Sequence, residues 1–195
     1  MIIIGITGTL GAGKGTIVDF LVKQRGFNHF SVRSFITREI NARNLPVNRD
    51  SMVTVANDLR QQHSPSYIVD QLYLQAALSG KNCVIESIRT PGEVESLRKK
   101  ENFYLFAVDA DAATRYQRIQ KRQSETDQID FKTFKSNEAR EMTSTDPNHQ
   151  NLRKCIEMAD FLFLNDGSIR ELEMSVATAL QKINPGSNTE TQNQA

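Results

Sequence analysis

Several features are scarce or absent in this sequence, and each absence excludes a class of protein. Two cysteines are too few for a disulfide framework, and both, Cys83 and Cys155, stand among apolar residues, which predicts buried thiols in a reducing compartment. The three histidines lack the spacing of metal ligands, so we predict no zinc site. No apolar run approaches the roughly 20 residues of a transmembrane helix. The apolar start at residues 1–6 is too short for a secretory signal and has no basic region before it, so we expect a cytoplasmic protein.

An excess of charge of one sign is also absent. The 24 basic and 23 acidic side chains give a net charge of +1 at pH 7, which is no reason to expect a nucleic-acid or membrane partner. A hydrophobic content of 38% over 195 residues is typical of one globular domain with a substantial core. We predict this single domain over residues 1–183 and a disordered polar tail over residues 184–195.

A glycine-rich segment follows the first apolar run. It has a glycine, four residues and then Gly13-Lys14, which is the spacing of a phosphate-binding loop, and a helical pattern begins directly after it. Glycines let the backbone approach a phosphate closely, N–H groups at a helix start bind anions, and the lysine adds a mobile charge. One departure is Gly15, which stands where a Mg²⁺-binding Ser or Thr usually follows the lysine. The predicted nucleotide-binding residues of the loop are Gly8, Thr9, Leu10, Gly11, Ala12, Gly13, Lys14, Gly15 and Thr16.

Short apolar strands alternate with helices along the rest of the chain. Strands are predicted at residues 1–6, 27–32, 82–86, 103–108 and 161–164. Helices are predicted at residues 16–23, 34–44, 52–59, 64–78, from 90 onward, 112–123, 148–158 and 168–183. Helix caps are predicted at Asp50 or Ser51, at Ser64, at Thr90 and at Ser168. This alternation predicts an α/β fold in three layers, a five-stranded parallel sheet with helices on both faces and ligands at the carboxyl ends of the strands.

Two charged side chains follow the third predicted strand, at the sheet edge where the phosphate-binding loop also lies. Glu86 is placed to hold Mg²⁺ directly or through water, because hydrated Mg²⁺ usually takes only one or two protein carboxylates. Thr16 is a further metal-ligand candidate, and Arg89 is placed to bind a second anionic group. The alternatives are a surface carboxylate at a strand end and an ordinary loop arginine.

A row of arginines precedes the polar segment of residues 124–147. Arg115, Arg118 and Arg122 are spaced i, i+3, i+7 and share one face of a predicted helix. Such a row can clamp transferring phosphates when a mobile segment closes, and a solvated basic face explains the spacing equally well. Arg140, late in the polar segment, is a candidate of the same kind.

Three helices between the second and third strands form an excursion longer than a simple crossover requires. Arg33, Arg38 and Arg60 lie in this region and are candidates for binding the phosphate of an acceptor molecule. Each of them alone is more often a surface arginine.

The phosphate-binding loop resembles that of adenylate kinases, which carry Gly-Lys-Gly-Thr and hold Mg²⁺ largely through waters and phosphates. Residues 84–90 (Val-Ile-Glu-Ser-Ile-Arg-Thr) resemble their Asp-Gly-Phe-Pro-Arg-Thr segment, and by that match Arg89 contacts the acceptor phosphate. Residues 118–122 are similar to the entry of their lid, which implies that Arg118 packs on the donor base and Arg122 contacts phosphates. The resemblance thus implies ATP and Mg²⁺ as cofactors, a lid at about residues 123–147 and an acceptor-binding helical region at about residues 33–80.

Other segments look closer to archaeal adenylate-kinase-related and dephospho-CoA-kinase-like proteins. Residues 88–94 fit their Ile-Arg-x-x-x-Glu-Val pattern. Residues 159–167 resemble their closing Ala-Asp, strand, Asn-x-Gly pattern near the donor base, which implies Asn165 as a nucleotide-binding residue. The chain departs from adenylate kinases after the second strand, where Ser31-Val-Arg-Ser replaces Thr-Gly-Asp and a following arginine, and its polar segment has no zinc-binding cysteines.

These observations favour an ATP-dependent kinase that transfers the γ-phosphoryl group to a nucleoside or deoxynucleoside monophosphate, as a monomer or a homodimer. Lys14, Arg89, Arg118 and Arg122 are its predicted catalytic residues. A monophosphate is already an anionic nucleophile and needs no carboxylate base, and no acid occurs at residues 31–34. A dephospho-CoA kinase, with Glu86 as the base, and a non-enzymatic module that binds a nucleoside triphosphate are the alternatives.

Overall fold

The computed structural model describes residues 1–122 and 129–184. Five parallel strands form one sheet in the order β2-β3-β1-β4-β5, which confirms the predicted architecture. The strands are β1 (Ile3–Gly8), β2 (Asn28–Ser31), β3 (Cys83–Glu86), β4 (Phe103–Asp109) and β5 (Phe161–Leu164).

Helices cover both faces of the sheet. In chain order they are α1 (Lys14–Arg25), α2 (Val32–Ala42), α3 (Arg49–Gln62), α4 (Tyr67–Ser79), α5 (Pro91–Arg98), α6 (Ala112–Arg122), α7 (Phe131–Met142), α8 (Leu152–Glu157) and α9 (Ile169–Ile183). No helix in the described ranges is long and apolar enough to cross a membrane.

The central strand divides the core into two. All six residues of β1 are buried, and because side chains alternate along a strand, Ile3 faces one side and Ile4 and Ile6 face the other. The side of Ile3 packs against α2, α3, α4, α5 and α8, and the opposite side packs against α1 and α9. This double burial explains why β1 and its neighbour β4 are nearly continuous apolar runs, whereas the edge strand β2 (Asn-His-Phe-Ser) is not.

The predicted helix caps can be compared with the residues that cap the helices in the structure. The capping boxes predicted at Thr90 and Ser168 are confirmed, and each side chain accepts a hydrogen bond from the third residue of its helix. Two predicted caps were wrong. Asn48 caps α3, because its side chain accepts from the Ser51 N–H, and Ser66 rather than Ser64 precedes α4.

The polar segment contains a helix that the sequence did not suggest. Helix α7 begins after Asp130, whose side chain accepts a hydrogen bond from the Thr133 N–H, and it buries Phe134 and Glu141 on one side. Residues 123–128 of the predicted lid and residues 185–195 of the predicted tail lie outside the described residues. The lid and the tail stay predictions.

Candidate active site

The phosphate-binding loop joins β1 to α1, and its shape requires glycine. Gly8, Gly11 and Gly13 have φ angles of 143°, 80° and 113°, which other residues rarely adopt. A Cβ on Gly11 would lie 2.5 Å from the carbonyl oxygen of Arg115, and one on Gly13 would overlap the side-chain amide of Asn165. Gly15 differs, because no atom lies within 4 Å of its Cβ position. The first three glycines therefore serve the loop's conformation and packing, whereas Gly15 leaves space beside the loop.

Lys14 lies over this loop. Its Nζ donates hydrogen bonds to the carbonyl oxygens of Gly8 and Thr9, each over 2.8 Å. Burial, together with the positive charge of Arg89, lowers the pKa of Lys14 to about 7. An anionic ligand beside this amine would favour its charged form, so phosphate binding and protonation of Lys14 are coupled.

Side chains from the sheet edge support the loop. Thr9 Oγ1 donates to Asp109 at the end of β4 over 2.6 Å, and Asn165 Nδ2 donates to the carbonyl oxygen of Ala12 over 2.7 Å. Asn165, predicted from the resemblance to bind nucleotide, is thus buried against the loop's main chain in this structure. Asp109 was missed, although its place at a strand's carboxyl end could have revealed it.

A cavity of about 560 Å³ opens beside the loop and extends between α2 and α3. Its apolar wall includes Val32, Ile36, Met52, Val53 and Ala56. The basic side chains that line the cavity are Lys14, Arg33, Arg49, Arg60, Arg89, Arg118 and Arg122. Two carboxylates, Glu86 and Glu141, also line it. This lining suits a ligand that combines anionic groups with an apolar body.

Glu86 ends β3 next to the cavity. Burial alone would raise its pKa, but hydrogen bonds from His29 and Ser31 and the charge of Lys14 hold the pKa below its ordinary value. The Ser31 hydroxyl donates over 2.8 Å. An ionised carboxylate in a cavity that Thr16 also lines fits the oxygen-donor preference of Mg²⁺, and no cluster of three metal-ligating side chains occurs in the described part of the chain.

Arg89 is held by partners from two directions. Its Nη1 donates to Glu141 Oε2 over 2.7 Å and to Gln150 Oε1 over 2.8 Å. The other oxygen of Glu141 accepts from Arg49 at the start of α3. Burial would raise the pKa of Glu141, but Arg89 and Arg49 hold it below its ordinary value. Arg49, Glu141 and Gln150 were not predicted.

A weak local pattern surrounds Glu141 in the sequence, but two of its three positions are carboxylates, which do not mark a buried helix face. Phe134, Glu138 and Glu141 are spaced i, i+4, i+7 after the capping residue Asp130, which places them on one helix face. No comparable local signal marks Arg49 or Gln150.

The predicted arginine row divides between two environments. Arg115 is buried, donates to the carbonyl oxygen of Ala110 over 2.7 Å and pairs with Glu138 of α7, so it joins α6 to α7. Arg118 and Arg122 line the cavity, and Arg118 donates to the carbonyl oxygen of Asn165 over 2.8 Å. Of the three arginines in the row, only these two line the cavity.

The three arginines proposed for the acceptor also occupy different places. Arg33 lines the cavity. The guanidinium of Arg38 lies 5.7 Å from the ring centre of Phe35, and the residue is not part of the cavity lining. Arg60 is fully buried in an ion pair with Glu93 at 2.9 Å.

Arg140, the further clamp candidate, lies at the surface. Its guanidinium pairs with Asp50 over 3.2 Å and does not belong to the cavity lining.

Comparison with known proteins finds relatives in sequence and in fold. The UPF0200 protein of Methanothermobacter thermautotrophicus is 28% identical over 186 residues, which covers 94% of this chain and 91% of that protein. Among solved structures, a gluconokinase from Sinorhizobium meliloti superposes with a TM-score of 0.60 at 11% identity, over 93% of each chain. A dephospho-CoA kinase from Campylobacter jejuni superposes with a TM-score of 0.55 at 13% identity, over 94% of this chain and 98% of that one.

A family model described as an AAA domain matches residues 4–146, which include the phosphate-binding loop, Glu86, Arg89 and Glu141. The chain therefore belongs to the AAA-domain family, and it has the fold of the P-loop kinases.

Proposed function

We propose that this protein is an ATP-dependent kinase that transfers the γ-phosphoryl group to a nucleoside or deoxynucleoside monophosphate. The observation that carries the proposal is that one cavity joins the lysine of the phosphate-binding loop, the carboxylate of Glu86 and the guanidinium of Arg89. Binding of a triphosphate alone would not require the further arginines, Arg33, Arg49 and Arg89, that line the same cavity.

Phosphoryl transfer depends mainly on positioning and charge neutralisation, so each basic side chain has a role that follows from its place. The loop N–H groups and Lys14 hold the β- and γ-phosphates of the donor. Arg118 and Arg122 reach the cavity from α6 and neutralise charge on the transferring group. Glu86 and Thr16 would hold Mg²⁺, which supplies further charge neutralisation when it is bound.

The acceptor is proposed to lie between α2 and α3. Arg33, Arg49 and Arg89 are placed to bind its phosphate, and the apolar wall of the cavity suits a nucleobase. A hydroxyl acceptor such as dephospho-CoA is the second candidate, because Glu86 is ionised and is placed to accept a proton from a hydroxyl group.

The decisive experiment measures ADP formation by the purified protein with Mg·ATP and a panel of nucleoside monophosphates, deoxynucleoside monophosphates and dephospho-CoA. Lys14→Ala is expected to abolish transfer. Arg89→Ala is expected to lower kcat/KM by about 100-fold, the effect of removing one charged group that stabilises the transition state. The matched control is Arg38→Ala, outside the cavity, which should keep kcat/KM within about twofold. If no acceptor in the panel stimulates ADP formation, the kinase proposal fails and a non-enzymatic module remains.

A further inference from the structure

The carboxylate of Glu141 sits between two arginines of the cavity, and the proposed function gives it no role. We propose that Arg49 and Arg89 form the binding site for the acceptor's phosphate, and that Glu141 occupies this site as an internal substitute which the phosphate displaces. The inference rests on the proposed function for the identity of the ligand as a phosphate monoester.

The geometry is that of an anion site. Arg49 begins α3 and Arg89 follows β3, yet their guanidinium groups converge on one carboxylate, each on a different oxygen. Two cations brought this close repel each other unless an anion lies between them. A phosphate monoester carries up to twice the charge of a carboxylate and one more terminal oxygen, so it can replace Glu141 with both pairings kept.

One donor in the site has no use in the present arrangement. The Nε of Arg49 is buried and has no hydrogen-bond partner, and it is the single side-chain atom of this kind in the described residues. Each oxygen of Glu141 accepts from one guanidinium group but not from this Nε, whereas a phosphate would offer a third oxygen in a different direction. An unsatisfied buried donor disfavours the present arrangement and therefore favours the exchange.

Displacement of Glu141 requires movement of one helix end only. Glu141 lies in the last turn of α7, one residue before the helix ends at Met142. The rest of α7 is held independently, because Phe134 packs in a ring cluster with Tyr116 and Glu138 pairs with Arg115. Within the final turn, Arg140 pairs with Asp50 at the exposed surface, which is a weak contact. The final turn can therefore release the site while the body of α7 stays attached to α6.

The test compares Glu141→Gln with the wild-type full-length chain by calorimetric titration of inorganic phosphate, without nucleotide. Removing an internal competitor that leaves the site free about 10% of the time raises the apparent affinity about 10-fold. Glu157→Gln, which replaces an exposed carboxylate of α8, is the control and should leave the affinity unchanged. Phosphate can also bind at the phosphate-binding loop, so the double variant Arg49→Gln/Glu141→Gln shows at which site the affinity rises. If the gain arises at the site of Arg49 and Arg89, it must disappear in the double variant. A gain that survives in the double variant, or no gain at all, overturns the proposal.

A second measurement does not depend on the variant being folded. Hydrogen exchange of the wild-type chain, followed by mass spectrometry, should show faster exchange in the last turn of α7 when a nucleoside monophosphate is added, and no change with the matching nucleoside. Unchanged or slower exchange with the monophosphate means that Glu141 is a fixed support for the arginines, and the proposal is then wrong. Because neither readout needs turnover, failure of the kinase assay and failure of this exchange are separate results.

Discussion

The buried ion pair of Arg60 and Glu93 provides a direct test of how the cavity is built. Arg60 donates through Nε and Nη2 to Glu93 Oε1 over 3.1 and 2.9 Å, and the two side chains are 1% and 0% exposed. The other oxygen of Glu93 accepts from the N–H groups of Arg89 and Thr90. Arg60 thus stabilises the carboxylate that shapes the loop carrying Arg89.

Replacing Arg60 by Met removes the charge but keeps much of the side-chain volume. Because Glu93 would be left as an unpaired charge in the core, we expect Arg60→Met to lower the free energy of unfolding by about 3–5 kcal/mol. Both side chains are almost completely buried, so solvent does not screen the unpaired charge. Glu93→Gln in the same chain removes that charge and keeps a side chain able to complete the capping box. The double variant should therefore recover most of the loss.

Urea unfolding followed by circular dichroism measures these free energies, with Arg38→Met as the matched control. Arg38 is an exposed arginine of the same helical region, and its replacement should change the free energy of unfolding by no more than about 0.5 kcal/mol. If Arg60→Met unfolds within about 1 kcal/mol of the wild type while the acceptor's KM rises, Arg60 binds the acceptor and the structural role is refuted.

Three further predictions concern the loop lysine, the loop glycines and the two buried cysteines. At pH 8 triphosphate binding should take up close to one proton, because the pKa of Lys14 is lowered to about 7 and phosphate raises it; calorimetry in buffers of different ionisation enthalpy measures this, and Lys14→Met should abolish it. Gly13→Ala should weaken nucleotide binding by about 5- to 150-fold through backbone strain of about 1–3 kcal/mol, whereas Gly15→Ala should fold like the wild type by thermal unfolding. Burial raises the pKa of both thiols, that of Cys83 to about 11, so a thiol reagent at pH 8 should label neither cysteine natively and both in denaturant.

The sheet and most helices were predictable because their signals are local. Every strand except β2 (Asn-His-Phe-Ser) is a short, mainly apolar run, and the capping boxes at Thr90 and Ser168 fix helix starts within four residues of sequence. Helix α7 was missed because its buried face is completed by Glu138 and Glu141. A carboxylate becomes a buried residue only when arginines from other elements neutralise it, and that information is not local.

The same reason explains why the arginines could be found but not assigned to roles. Arg60 and Arg115 were phosphate-binding candidates as Arg89 was, yet the fold gives them carboxylate partners 33 and 23 residues away. Arg49 had no distinguishing signal, because its partner Glu141 is 92 residues away. The sequence thus supplied a set of basic residues, and the tertiary pairing divides that set into supports and phosphate-site candidates.

The pairing also shows how one of these arginines is prepared for a ligand. The N–H of Arg89 donates to Glu93 over 2.8 Å, its carbonyl oxygen accepts from the N–H of Asn151 over 2.8 Å, and its guanidinium donates to Gln150. The guanidinium also donates to Glu141, which belongs to α7, whereas the three partners just named do not. Release of the Glu141 carboxylate therefore leaves the backbone and guanidinium of Arg89 held in place. A charged group fixed before the ligand arrives loses little entropy on binding and needs no reorganisation during transfer. These fixed contacts are what make Arg89 a strong phosphate-site candidate.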